Sequence, residues 1–136
     1  MKYAHSLKIV HRNLKPSNIF INSDLTIKIS DFGISNMMIP KDQLSLIDPE
    51  DTKLFFFIAP EMKNDNYNEK VDVFSFGALI YYILNLGDIP KITVFDYIQC
   101  KTFEIPKTFT KFSRELIESC MNQDPNSRPE FSTICD

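Results

Sequence analysis

Between His11 and Asn18 the chain reads H-R-N-L-K-P-S-N, and after two short β-favouring runs it reads Asp31-Phe32-Gly33. Asp31 offers a carboxylate and Asn18 an amide oxygen, hard donors of the kind Mg²⁺ accepts. Asn13 stands at the third position of the first stretch. Its amide can hydrogen-bond a hydroxyl, but it lacks the basicity to take that hydroxyl's proton, as a carboxylate there would. Taken singly, these motifs are weak. Asp-Phe-Gly occurs by chance, usually in a turn, and Ala59-Pro60-Glu61 is weaker still. Their order along the chain is more informative than any one of them.

The elements that must position them are legible in outline. Met1 to Leu7 reads as the last turns of a helix. Asn18 to Asn22 and Thr26 to Ser30 read as strands, joined by Ser23-Asp24-Leu25, a connection of hairpin length. From Ser35 to Lys53 polarity rises and Pro40 and Pro49 interrupt, so a long loop is expected. Pro60 to Asn64 suits a short helix with proline at its first position. Glu69 to Leu86 predicts a buried central helix, because Val71, Val73, Phe74, Phe76, Ala78, Leu79, Ile80, Ile83 and Leu84 cover nearly every face. Gly87 serves as its stop signal. Further helices are predicted over Thr93 to Lys101 and Ser113 to Asn122, and a last one opens at Ser127-Arg-Pro.

Composition bounds the function. The 136 residues are 43% hydrophobic and 24% charged, as in a soluble globular domain, and suffice for one core. A net charge of −3 and a pI near 5.4 give no basic field for nucleic acid or an anionic membrane. Val73 to Leu84, the most apolar run, is too short to span a bilayer, which takes roughly 20 residues. Cys100, Cys120 and Cys135 form neither a disulfide framework nor a zinc site, so a reducing, cytoplasmic setting is expected.

The full series is His11-Arg-Asn-Leu-Lys-Pro-Ser-Asn18, Asp31-Phe-Gly33, Ala59-Pro-Glu61, Asp72-Val-Phe-Ser-Phe-Gly77 and Asp124-Pro-Asn-Ser-Arg-Pro129. In this order it resembles the C-terminal lobe of a eukaryotic protein kinase from end to end. Lys15 looks like the serine/threonine type. Asn18-Ile-Phe20 and Leu25-Thr-Ile-Lys-Ile29 look closest to the tyrosine-kinase-like branch, Raf-like kinases included. The resemblance implies an α+β, mostly helical lobe over 1–136, with a small β-hairpin, catalytic loop 11–18, activation segment 31–61 and central helix about 69–86.

It also implies roles. Asn18 and Asp31 would hold Mg²⁺, with Phe20 beside them at the nucleotide, and Lys15 would neutralise charge at the γ-phosphate of ATP. Asn13 occupies the place of the catalytic aspartate. His11 and Phe32 would stack in the family's hydrophobic spine, Gly33 would follow them, and Asp72 would accept hydrogen bonds from the catalytic-loop backbone. Glu61 and Arg128 match the family's ion pair, and Arg12 the arginine that meets a phosphorylated activation-loop residue, here Ser45 or Thr52. Where serine/threonine members carry a threonine ahead of Ala59, Leu54 and Phe55-Phe-Phe57 stand, which puts the peptide-substrate platform in doubt.

The resemblance covers about the second half of the family's catalytic domain, with the N-lobe absent. The sequence has three glycines, Gly33, Gly77 and Gly87, so no G-x-G-x-x-G can be written in it. Three functions remain open: a serine/threonine kinase domain represented by part of its length, a non-catalytic pseudokinase-like module that acts by docking, and a degenerate fragment. The expected partners are a protein substrate or a signalling protein, with no nucleic acid and no membrane span. As printed, the chain is expected to be inactive.

Overall fold

Strands β1 (Ile19–Ile21) and β2 (Ile27–Ile29) pair antiparallel, with Phe20 opposite Lys28. The connection turns because Asp24 Oδ1 accepts from the Thr26 amide at 3.1 Å and Leu25 takes φ 62°, the left-handed conformation such three-residue hairpins use. This is a computed structural model, and it describes residues 1–32, 51–63 and 67–135. Ile19 and Ile29 lean on the core, whereas Phe20, Ile21 and Ile27 are 54%, 66% and 63% exposed.

Five helices accompany the hairpin among the described residues: α1 (Lys2–Ser6), α2 (Lys70–Leu84), α3 (Val94–Ile98), α4 (Lys111–Cys120) and α5 (Phe131–Ile134). α2 is the axis of the fold. Val71, Val73 and Ala78 are essentially inaccessible, and α4 packs against α2 through Ile117 and Cys120. The approach is close because Gly77 has no side chain. A Cβ there would stand 2.7 Å from Met121 Cγ and 2.8 Å from Cys120 Cβ. Ile83 and Leu84, expected to be buried, are 65% and 44% exposed, because α2 projects beyond the core at its C-terminal end.

Three further boundaries differ from the sequence expectation. α2 stops in two bonds, Leu86 N–H to Ile83 O (3.2 Å) and Gly87 N–H to Tyr82 O (2.9 Å). The residue in the left-handed position is Leu86 (φ 54°), with Gly87 (φ 92°) behind it. Leu86 is 96% exposed, so its side chain meets little there.

The last helix begins at Phe131 rather than at Ser127. Pro129 disfavours helical backbone in the residue before it, and Arg128 is extended at φ −77°, ψ 142°. A separate 3-10 turn, Pro125–Ser127, is held by Asp124. The loop expected to run through Lys53 lies largely outside the described residues. Its described end, residues 51–53, opens a 3-10 helix, Asp51–Phe57, that buries Phe55, Phe56 and Phe57. Phe56 packs with Tyr81 and Phe103 at centroid distances of 5.2 and 5.0 Å. These phenylalanines belong to the core. Another 3-10 turn, Pro60–Lys63, follows, close to the short helix expected there.

Candidate functional site

The loop from His11 to Asn18 is held to α2 by one carboxylate. Asp72, fully buried in the first turn of α2, accepts the His11 amide at Oδ2 and the Arg12 amide at Oδ1, both at 2.8 Å. His5 Nε2 lies 2.8 Å from Oδ2. Three polar contacts compensate the burial of a charge that would otherwise be costly inside a core. Sequence reasoning identified Asp72 but not His5, since nothing in the spacing of α1 marks a residue that bonds across 67 positions.

His11 is also fully buried, and both ring nitrogens are used. Nε2–H donates to Ser30 O at 2.8 Å, which leaves Nδ1 to accept the Asn13 amide at 3.1 Å. One imidazole therefore ties the loop to the end of β2. Phe32 packs on it at 4.5 Å between centroids, with the rings tilted by 58°. This is the expected stacking pair.

Asn13 is fixed through its backbone. Its N–H goes to His11, and its carbonyl accepts from Asn18 Nδ2 at 2.8 Å. Asn18 is 5% exposed, and engaging its Nδ2 this way orients Oδ1, the oxygen of the amide able to coordinate a cation. Asp31 is exposed, takes φ 59°, and accepts from Ser30 Oγ at 3.3 Å. Aspartate tolerates that left-handed backbone better than most residues. Lys15 and Asn13 line a narrow notch with Arg12, Leu54 and Phe57. Phe20 points outward on β1. Gly33 and Ser45 lie outside the described residues, as does the side chain of Thr52.

Among the described residues, no cluster of three or more His, Cys, Asp or Glu could hold a metal ion. Asn18 and Asp31 are thus a partial donor set. It fits Mg²⁺ in the way that ion is commonly bound, by one or two protein oxygens completed by phosphate. Arg12 is held in the left-handed region at φ 71°, its guanidinium lies 5.9 Å from the centroid of the Tyr67 ring, and its Nε is buried without a hydrogen-bond partner.

The Glu61–Arg128 pair is formed. Arg128 NH1 donates to Glu61 Oε1, and NH2 donates to Oε2 at 2.9 Å. Nε donates to Asn122 O at 2.8 Å, and NH1 also reaches Lys70 O at 3.0 Å. The Arg128 side chain is fully buried and that of Glu61 is 16% exposed. Its guanidinium stacks over Phe74 at 5.1 Å. Ser75 was missed by the sequence reading. Its buried Oγ donates to Phe57 O at 2.6 Å and fastens the Asp51–Phe57 turn to α2.

The family model for protein tyrosine and serine/threonine kinases matches residues 1–136. The chain belongs to the protein kinase family. It is 37% identical to the dual specificity protein kinase shkE of Dictyostelium discoideum, over 98% of this chain and 20% of that protein. It is 36% identical to a probable inactive serine/threonine-protein kinase of the same organism, over 98% of this chain and 12% of that protein. Against serine/threonine-protein kinase CTR1 of Arabidopsis thaliana the identity is 33%, over 100% of this chain and 17% of that protein. This kinase-family chain thus spans at most a fifth of the length of these relatives. No helix among its described residues is long and apolar enough to cross a membrane.

Proposed function

We propose that the chain is the C-terminal lobe of a serine/threonine protein kinase domain of the tyrosine-kinase-like, Raf-like branch, and that the 136 residues by themselves do not transfer phosphate. One observation carries the first part. Asp72 binds the amides of His11 and Arg12, which fastens the loop bearing Asn13, Lys15 and Asn18 to the central helix. In this reading Asn18 and Asp31 hold Mg²⁺ and Lys15 faces the γ-phosphate of ATP. Bound Mg²⁺ would neutralise charge on the phosphates. The orphaned Nε of Arg12 supports a role in receiving a phosphorylated residue, Ser45 or Thr52, since a phosphate oxygen would satisfy it.

Asn13 carries the second part. Losing a general base costs about 10²–10⁴ in rate, or about 3–5 kcal/mol of barrier. The sequence also contains no glycine-rich loop to align the phosphates, and such alignment is worth about 7–11 kcal/mol. A base restored at residue 13 therefore does not offset the missing positioning. The second reading, a non-catalytic docking module working in the cytoplasm on a signalling partner, is favoured by Asn13 and by the burial of Phe55 to Phe57 in the core.

The test is transfer of labelled γ-phosphate from Mg·ATP to a generic protein substrate, by the 136-residue chain and its Asn13→Asp variant. Neither is expected to exceed background. Turnover by the unsubstituted chain that Asp31→Ala abolishes would overturn the proposal of inactivity, and turnover by Asn13→Asp alone would make Asn13 the sole defect.

A further inference from the structure

Lys63 and Cys100 meet outside the site described above. Lys63 Nζ lies 3.1 Å from Cys100 Sγ and 3.0 Å from Ile98 O. The ammonium thus caps the end of α3 while touching the thiol. Cys100 occupies the left-handed position of that helix stop, at φ 54°. Cys100 N–H bonds Tyr97 O at 3.0 Å and Lys101 N–H bonds Asp96 O at 2.9 Å. Glycine or asparagine ordinarily fills this position, because a Cβ is strained there. Here a cysteine accepts the strain, and its sulfur is directed at a lysine.

The other thiols lack this setting. Cys120 is completely buried, and burial pushes its thiol up to about 11. Cys135 is exposed. Reactive cysteines generally sit in electropositive, partly exposed surroundings, and Cys100 meets both conditions.

We propose that Lys63 and Cys100 form a peroxide-responsive modification site that closes into a covalent Nζ–Sγ sulfenamide. The Cys100 thiolate attacks hydrogen peroxide and the O–O bond breaks. One oxygen bonds to sulfur, which is oxidised by two electrons to the sulfenic acid. The other leaves as hydroxide, takes a proton from the Lys63 ammonium and departs as water. The free Lys63 amine then attacks the sulfenic sulfur. An N–S bond forms, the S–O bond breaks, and the leaving hydroxide carries off an amine proton as a second water. The sum is thiol plus amine plus peroxide giving sulfenamide plus two waters, with peroxide as the only oxidant. Closure ties the Pro60–Lys63 turn, which bears Glu61, to the end of α3.

The experiment treats the purified 136-residue chain with hydrogen peroxide, alkylates free thiols, digests it and maps the peptides by mass spectrometry. The expected product is the Lys63 peptide joined to the Cys100 peptide, lighter than the pair by two hydrogens and separated again by dithiothreitol. Lys63→Arg keeps the charge and Cys100→Ser keeps the shape, and neither should give the joined product. Absence of the joined peptide from the unsubstituted chain would overturn the proposal. So would equal yield from chain unfolded in urea, because the reaction is held to require the folded 3.1 Å approach.

Discussion

Arg128→Ala probes the fold where its charge is most deeply enclosed. The substitution removes a fully buried guanidinium that makes bonds to both Glu61 oxygens, Asn122 O and Lys70 O. What remains is a carboxylate with 16% of its side-chain surface exposed and no cation, together with two carbonyls stripped of a donor. Breaking one partner of such a pair costs about 3–5 kcal/mol, chiefly because the survivor stays buried and unpaired. Natural domains have only about 5–15 kcal/mol in total, so the variant should lie near the edge of folding. For a chain of this size each kcal/mol moves the thermal midpoint by about 3–6 °C. Arg128→Ala should therefore melt about 10–25 °C lower.

The control is Lys107→Ala, at an exposed position, where a change within about 0.5 kcal/mol is expected. The sequence contains no tryptophan, so unfolding is followed by far-ultraviolet circular dichroism against temperature and urea. Replacing Glu61 and Arg128 together by Leu and Met should recover much of the loss, since an apolar pair of similar volume needs no counter-charge. Equal midpoints for Arg128→Ala and Lys107→Ala would refute the reasoning, because the pair would then contribute nothing.

Two other expectations follow from local geometry. Gly77→Ala should destabilise the chain by about 1–2 kcal/mol, overpacking at the α2–α4 contact exceeding the roughly 1 kcal/mol that alanine gains in a helix; a urea midpoint equal to or above that of the parent would contradict the 2.7 and 2.8 Å approaches. Hydrogen bonds from Lys101 and Thr93 hold the Asp96 carboxyl down, at about 2 against an ordinary 3.8. Its folded value lies below its unfolded one, so the capping contribution at α3 is present above 3.8 and is lost as pH falls through about 2. Carbon-detected NMR of the Asp96 carboxyl should place its midpoint near 2, and a midpoint at 3.8 would mean that the capping box does not persist in solution.

Whatever depends on neighbours along the chain was legible from the residues alone. The Asp24-Leu25 turn, the isoleucines of the two strands and the apolar residues of α2 each encode an element through spacing or a short-range bond, and each formed within a few residues of its expected place. Resemblance added the pairing of Glu61 with Arg128 and of Asp72 with the loop amides, contacts that no local pattern contains. The remaining contacts came from packing between distant segments. That packing set His5 against Asp72, turned Phe55, Phe56 and Phe57 inward, left Ile83 and Leu84 outside, and brought Lys63 to Cys100. The difference is physical. Periodicity tells which face of an element is apolar, but the partner of that face is chosen by how all the elements pack at once. A side chain such as His5 or Cys100 becomes chemically distinctive only through a neighbour supplied from a distant part of the chain.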